Sequence, residues 1–123
     1  MEKVIYRTNV VQIGKSALTF LDEKMLIFFN KKAQSDLAEY SVLIDDGEGG
    51  FDICYGDYLV LGDTQYRITA IGSVALRNFE ALGHAVIRFD GKETADLPGN
   101  FHVEDKEIVE LVPHLTVSFI KSN

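Results

Sequence analysis

Three histidines, His84, His102 and His114, are the side chains best suited to nucleophilic chemistry in this chain. A neutral imidazole is a nucleophile near physiological pH. No two of them have the H-E-x-x-H spacing of a helical zinc site, and a single histidine is more often structural or exposed than catalytic. His84 and His102 nevertheless stand beside Gly83 and Gly99 at the edges of predicted strands, where a closely approaching loop could expose a ring nitrogen.

Other reactive residue types lack the spacing that their chemistry requires. Cys54 is the single cysteine, with no C-x-x-C partner, and is expected to be a small core or edge residue. The acids and glycines from Asp45 to Gly50 lack the ligand alternation of a calcium loop and the Lys-Ser/Thr ending of a P-loop. We therefore expect a solvated turn there, with neither a metal ion nor a nucleotide cradle.

Composition limits the class of protein. The chain has 123 residues, of which 46% are apolar and 25% charged, as in a globular protein with one core. Its formal charge of −7 disfavours nucleic acid and anionic lipid as partners. The longest strongly apolar run, residues 25–29, is far shorter than a membrane span, and no export signal is visible. Together with the single cysteine, this predicts a cytoplasmic protein without membrane insertion.

The elements that must position the histidines are mostly short strands. Alternating or continuous apolar runs separated by turn residues predict strands at about residues 4–10, 25–29, 40–44, 58–61, 64–71, 85–89 and 115–119. Gly62-Asp63 predicts a hairpin between two of them.

Helical signals are few. A helical turn is predicted at residues 35–39. The one clear helix runs from about Ser73, a possible N-cap, to Leu82, with Gly83 closing it. We expect a single mainly β domain over residues 1–123, a small closed barrel or sandwich with one or two short helices.

Several sequence blocks resemble a known family, the glucitol/sorbitol-specific enzyme IIA component of bacterial phosphotransferase systems. The matching blocks extend over nearly the whole chain: Ile13-Gly14 with Ser16-Ala17, residues 25–27, Asp36-Leu37 with Glu39-Tyr40, residues 69–75, Asn78, residues 82–84, residues 88–91, residues 97–99 and His102-Val103.

This resemblance implies a cytoplasmic phosphocarrier. Such a protein takes a phosphoryl group from the histidine-containing carrier protein HPr and passes it to the IIB part of a membrane transporter that also contains IIC. Phosphoenolpyruvate is the ultimate donor, and no metal or organic cofactor is required. The sugar and the oligomeric state are not indicated by the sequence.

The acceptor position departs from the family pattern. Family members carry His-x-His-Gly-Glu after the Glu-Tyr pair, and the first histidine is the expected phosphoryl acceptor. Aligned on Gly47-Glu48, this chain has Ile44 at the acceptor position and Asp46 at the second histidine position. An isoleucine cannot carry phosphate, and we expect Ile44 to lie at a strand edge against apolar neighbours.

Two classes of function remain open at this point. In the first, the chain relays phosphate through a substitute acceptor, His84 or His102, both of which match family histidines. In the second, it is a non-catalytic homologue that keeps the partner-binding surface and acts as a regulator or decoy.

Overall fold

The computed structural model describes residues 3–33 and 35–122 and is built mainly from β-strands. Two short α-helices, α1 (Ser35–Glu39) and α2 (Ala75–Leu82), and a 3₁₀ helix (Ala17–Glu23) lie between the strands. The strands are β1 (Val4–Ile13), β2 (Met25–Asn30), β3 (Val42–Ile44), β4 (Glu48–Gly49), β5 (Tyr58–Leu61), β6 (Thr64–Ile71), β7 (Ala85–Arg88), β8 (Asn100–Val103) and β9 (Thr116–Ile120).

The strands form a closed barrel. The sheet order is β3-β2-β7-β8-β6-β5-β9-β1, and β1 pairs again with β3, so that these strands leave no edge unpaired around the ring. Strand β1 pairs with β9 up to Asn9 and with β3 from Val10 onward, and a bulge between Val10 and Gln12 lies within the second pairing. The short β4 adds to β1 outside the ring. The prediction of a mainly β barrel is confirmed, and the sandwich alternative is not the structure.

The predicted hairpin is present. Strands β5 and β6 pair antiparallel with Leu61 opposite Thr64, so Gly62 and Asp63 form the two-residue turn. Gly62 has a φ of +63°, a backbone conformation that glycine adopts without steric cost. Burial alternates along β6, in which Tyr66, Ile68 and Ala70 are buried.

The predicted helix α2 is confirmed at its C-terminus and wrong at its N-terminus. Gly83 has a φ of +64° and donates its N–H to Phe79 O, as a glycine C-cap does. At the other end the cap position is Val74, not Ser73, and no side chain caps the helix. The chain is held there by Val74 N–H donating to Pro98 O, because the loop after β7 passes close by.

Several of the predicted strand bounds needed correction. The run from Tyr40 begins two residues later, at Val42, because Tyr40 lies in the turn after α1 and is half exposed. The 85–89 run ends at Arg88. The predicted turn from Asp45 to Gly50 contains the two-residue strand β4. The bounds of β8 were not predicted, and His102, expected at the edge of a strand, lies within it.

An aromatic cluster fills the end of the barrel where α2 lies. The ring of Phe79 is buried and lies 5.2 to 6.4 Å, centroid to centroid, from the rings of Tyr6, Phe51, Phe101 and Phe119. Helix α2 is therefore fixed across this end of the barrel by its buried phenylalanine. In the described ranges, no helix is long and apolar enough to cross a membrane.

Candidate functional site

A crevice of about 500 Å³ opens beside the C-terminal end of α2. Gly83 brings the end of α2 against β2, since an added Cβ on Gly83 would lie 3.0 Å from Asn30 N. The segment that follows β3 forms the opposite wall. The lining residues are Tyr6, Phe29, Asn30, Lys32, Ala33, Ile44, Asp45, Asp46, Gly47, Gly49, Phe51, Phe79, Glu80, Ala81, Leu82 and Gly83.

Ion pairs join two walls of the crevice. Lys31 Nζ lies 2.6 Å from Asp45 Oδ1, and this hydrogen bond lowers the pKa of Asp45. Asn30 Nδ2 donates to Asp46 Oδ1 at 2.9 Å, and Lys32 Nζ lies 3.9 Å from the other oxygen of Asp46. These contacts are exposed, so each adds little stability, but together they hold the segment after β3 against the end of β2.

Ile44 forms part of the floor of this crevice. It is the last residue of β3, is only 1% exposed, and belongs to the hydrophobic core. The expectation that Ile44 packs against apolar neighbours is confirmed. The expected strand edge is wrong in one respect: Ile44 ends β3, but this strand pairs with β1 on one side and β2 on the other. The next two residues, Asp45 and Asp46, carry the polar groups of the wall.

Tyr6 connects the aromatic cluster to the crevice. Its hydroxyl oxygen accepts a hydrogen bond from Gly47 N–H at 3.0 Å, and its ring lies 5.0 Å from that of Phe51. Burial raises the pKa of Tyr6, so the hydroxyl keeps its proton at neutral pH and can donate it. No sequence motif singled out Tyr6, because its position in an alternating strand is equally typical of a core residue.

His84 lies at the edge of the crevice. Its half-buried ring stacks on Phe29, a lining residue, with 4.8 Å between centroids and 27° between ring planes. Burial lowers the pKa of His84, so the ring is neutral at physiological pH. Within residues 3–33 and 35–122, burial is the one cause of this lowered pKa, and no hydrogen bond to the ring contributes to it.

His102 is in a different environment. It is fully buried in β8, and both of its ring nitrogens are engaged. Asp96 N–H donates to Nε2 at 3.3 Å, so the ring proton is on Nδ1, which donates to Asp90 Oδ1 at 2.8 Å. Burial raises the pKa of Asp90, but hydrogen bonds from His102 and Lys92 N–H outweigh it, and the pKa lies below its usual value. These bonds anchor the loop between β7 and β8.

The remaining candidates lie elsewhere. His114 is exposed in the turn before β9 with a φ of +74° and is not among the residues that line the crevice. Cys54 is exposed, which corrects the expectation of a core residue but fits an edge position. No group of three or more His, Cys, Asp or Glu side chains placed to hold a metal ion occurs in the described part of the chain.

The comparisons with known proteins agree with one another. Residues 5–118 match the family model for the PTS system glucitol/sorbitol-specific IIA component. The chain is 39% identical over 116 residues to the PTS system glucitol/sorbitol-specific EIIA component of Escherichia coli (strain K12), covering 94% of each chain. It is equally similar to the protein of the same description from Shigella flexneri. This chain belongs to the glucitol/sorbitol-specific IIA component family.

A solved structure supports the assignment. The crystal structure of a PTS system IIA component from Enterococcus faecalis V583 matches this family member with a TM-score of 0.77 and 25% identity, covering 93% of this chain and 98% of that one. The two histidine positions implied by the family pattern, Ile44 and Asp46, both line the crevice. The crevice is therefore the candidate functional site of this IIA family member.

Titration of His84 tests its environment. We expect its imidazole to titrate below 6.5 in an NMR pH series, because burial against Phe29 disfavours the imidazolium. Phe29→Ala should move the midpoint upward toward 6.5, whereas Phe20→Ala, in a separate aromatic pair with Tyr40, should leave it unchanged. A midpoint at or above 6.5 in the unmodified protein would contradict the burial argument.

The lowered pKa of His84 also predicts how the stability of the protein changes with pH. Since the unfolded chain binds a proton at His84 near pH 6.5 and the native chain only at lower pH, stability is lost as pH falls from 6.5 through the native pKa.

Replacement of His102 should mainly affect stability. His102→Ala removes two part-buried hydrogen bonds and a buried ring, so we expect the free energy of unfolding to fall by about 2–4 kcal/mol in urea denaturation. His114→Asn is the matched control: asparagine tolerates the positive φ, and the expected change is within about 0.5 kcal/mol. Equal stability of the two variants would contradict a structural role for His102.

Proposed function

We propose that this chain is a phosphoryl relay component of a phosphoenolpyruvate-dependent sugar phosphotransferase system and that His84 is its acceptor. Family membership supports the relay. The observation that carries the choice of acceptor is the placement of His84 beside the crevice with a neutral, partly exposed ring. The burial and complete hydrogen bonding of His102 argue against the other substitute.

The first transfer takes place between two histidines, the phosphohistidine of HPr and His84 of this chain. The unprotonated ring nitrogen of His84 attacks phosphorus in the phosphohistidine of HPr, so that one N–P bond forms while the other breaks. The HPr imidazole leaves and recovers its nitrogen lone pair. In the second step, the IIB component is the acceptor. Its nucleophile attacks the phosphorus carried by His84, the N–P bond at His84 breaks, and the phosphoryl group moves toward the transporter that contains IIC. We place the protein in the cytoplasm, where these partners present their phosphoryl sites.

The experiment is incubation of the full chain with phosphoenolpyruvate, enzyme I and HPr. We expect one phosphoryl group on the protein, labile in acid as a phosphoramidate, and mass spectrometry should place it on His84. Acid-stable label on a serine would exclude the proposed acceptor. Complete absence of label would contradict the proposal that this chain relays phosphoryl groups.

The burial of Ile44 in the floor of the crevice supports a second candidate function. Ile44 is packed into the core at the position where the family pattern has its acceptor, so the chain lacks the usual phosphoryl site. In this alternative the protein binds HPr or the IIB component without phosphoryl transfer and regulates them. Binding of HPr in the absence of any label would support this alternative.

A further inference from the structure

A groove of about 610 Å³ lies on the outer face of the barrel, where β5, β9 and β1 are neighbouring strands. In β9, Val117 and Phe119 belong to the hydrophobic core, and Ser118 and Ile120 line the groove. This is the alternation of inward and outward side chains that a strand produces. Among the described residues, none lines both this groove and the crevice beside α2, so the two cavities are separate.

Arg7 is the cationic side chain of the groove. It is exposed on β1, and its Nε donates a long hydrogen bond of 3.5 Å to Ser118 Oγ, directly across the β1–β9 pairing. The two Nη groups of a guanidinium can bind one carboxylate through two parallel hydrogen bonds. The hydroxyl of Thr116, which also lines the groove, can donate a further hydrogen bond to the same carboxylate.

Charge distinguishes the groove from the rest of this acidic protein. The chain has a net charge of −7, but among the described residues that line the groove Arg7 is the only ionisable one. Glu48 stands opposite Arg7 in the β1–β4 pairing, outside the groove, and weakens the attraction for an anion. One guanidinium compensates one negative charge, and a dianion would bring a second charge that the protein repels. The groove therefore favours a monoanion.

Apolar side chains flank the guanidinium. Val60 stands opposite Ser118 in the β5–β9 pairing and is partly buried, and Val4 is 40% exposed next to Ile120. From Ser118 to Ile120 the strand rises about 7 Å, which leaves room for an aliphatic chain of about five or six carbons. Such a chain would cover Val4 and Val60, and burial of this apolar surface favours binding.

We infer that the groove binds an aliphatic monocarboxylate of about five or six carbons, with its carboxylate on Arg7 and its chain against Val4 and Val60. This inference goes beyond phosphoryl relay and assigns the protein a small-molecule site on the wall of the barrel. A ligand of about eight non-hydrogen atoms is expected to bind with a Kd on the order of 1 mM.

An NMR titration with hexanoate, without any phosphoryl donor, tests the inference. We expect hexanoate to shift the amide signals of Arg7, Val60 and Ser118 in a saturable way. Hexanol lacks the charge and acetate lacks the chain, so each should bind at least about tenfold more weakly. No saturation by hexanoate, equal binding of hexanol or acetate, or tighter binding of inorganic phosphate would overturn the inference.

A matched pair of arginine variants tests the cation. Arg7→Gln removes the guanidinium from the groove and should raise the Kd for hexanoate at least about tenfold. Arg77→Gln makes the same change at an exposed position of α2 outside the groove and should leave the Kd unchanged. Equal Kd values in the two variants would overturn the assignment of the carboxylate to Arg7.

A matched pair of valine variants tests the apolar wall. Val4 and Val11 are 40% and 41% exposed on β1, and of the two only Val4 is among the described residues that line the groove. Val4→Ser should raise the Kd at least about threefold, and Val11→Ser should leave it unchanged. Equal Kd values in this pair would contradict the placement of the chain. Loss of labelling at His84 would not change these titrations, so the two proposals fail independently.

Discussion

His84→Ala is expected to lose acid-labile label by at least about 100-fold relative to the unmodified protein after incubation with phosphoenolpyruvate, enzyme I and HPr. Alanine has no nucleophilic atom, and the structure offers no equivalent imidazole beside the crevice within the described residues. The loss is therefore predicted to be a loss of the acceptor itself. Electrophoretic quantification of label, before and after acid treatment, measures it.

Controls separate chemistry from folding. His84 is half-buried and stacks on one ring, so its removal should cost no more than about 1–2 kcal/mol of stability, and a thermal melt verifies that the variant is folded. His114→Asn should retain full label. Retention of label in His84→Ala and its loss in His102→Ala would contradict the choice of His84. Label surviving in both would direct attention to His114.

The elements governed by local patterns could be predicted from the sequence. The hairpin turn at Gly62 and the C-cap at Gly83 depend on backbone conformations that few residues other than glycine adopt. Helix α2 was predicted from the spacing of its apolar residues, and Phe79 is indeed buried on the inward face. Its first residue was predicted wrongly because the loop at Pro98, distant in sequence, supplies the backbone acceptor for Val74.

Strand β8 shows why other elements were missed. Only Phe101 and Val103 provide an apolar alternation, and the intervening His102 is polar. The histidine is buried because Asp90 and the backbone of Asp96 satisfy its nitrogens from a neighbouring loop. Single-sequence patterns do not contain such partners, so His84 and His102 could not be separated by sequence although their environments differ.

The crevice itself was also beyond sequence reasoning. Its walls come from β1, β2, the segment after β3 and the end of α2, and barrel closure through the β1–β3 pairing brings these parts together. The sequence did indicate that Ile44 replaces the expected acceptor and is buried. It did not indicate that Gly47 N–H is already bonded to Tyr6.

The hydrogen bond from Gly47 N–H to the Tyr6 hydroxyl limits the phosphoryl label that an Ile44→His variant can carry. A phosphoryl group at this position would need nearby donors, but Gly47 N–H is used by the Tyr6 hydroxyl, and Asn30 and Lys32 already contact Asp46. The Tyr6 O–H would then compete with the repulsion from the carboxylates of Asp45 and Asp46, which lie next in sequence. We therefore expect Ile44→His, tested in the His84→Ala background to remove the other acceptor, to gain less than about a hundredth of the label that the unmodified protein carries.

Stability should fall in the same variant. An imidazole replacing a side chain that is 1% exposed loses its water and gains no hydrogen-bond partner, so Ile44→His should lower the free energy of unfolding by about 2–4 kcal/mol. Ile44→Val, the control, keeps the site apolar and should cost only about 0.5–1.5 kcal/mol. Urea denaturation measures both, and labelling is carried out at a temperature where each variant remains folded. Efficient acid-labile labelling of a stable protein that carries Ile44→His in the His84→Ala background would show that the crevice still provides a complete phosphoryl site, and the interpretation of Ile44 as a core residue that closes this site would then be wrong.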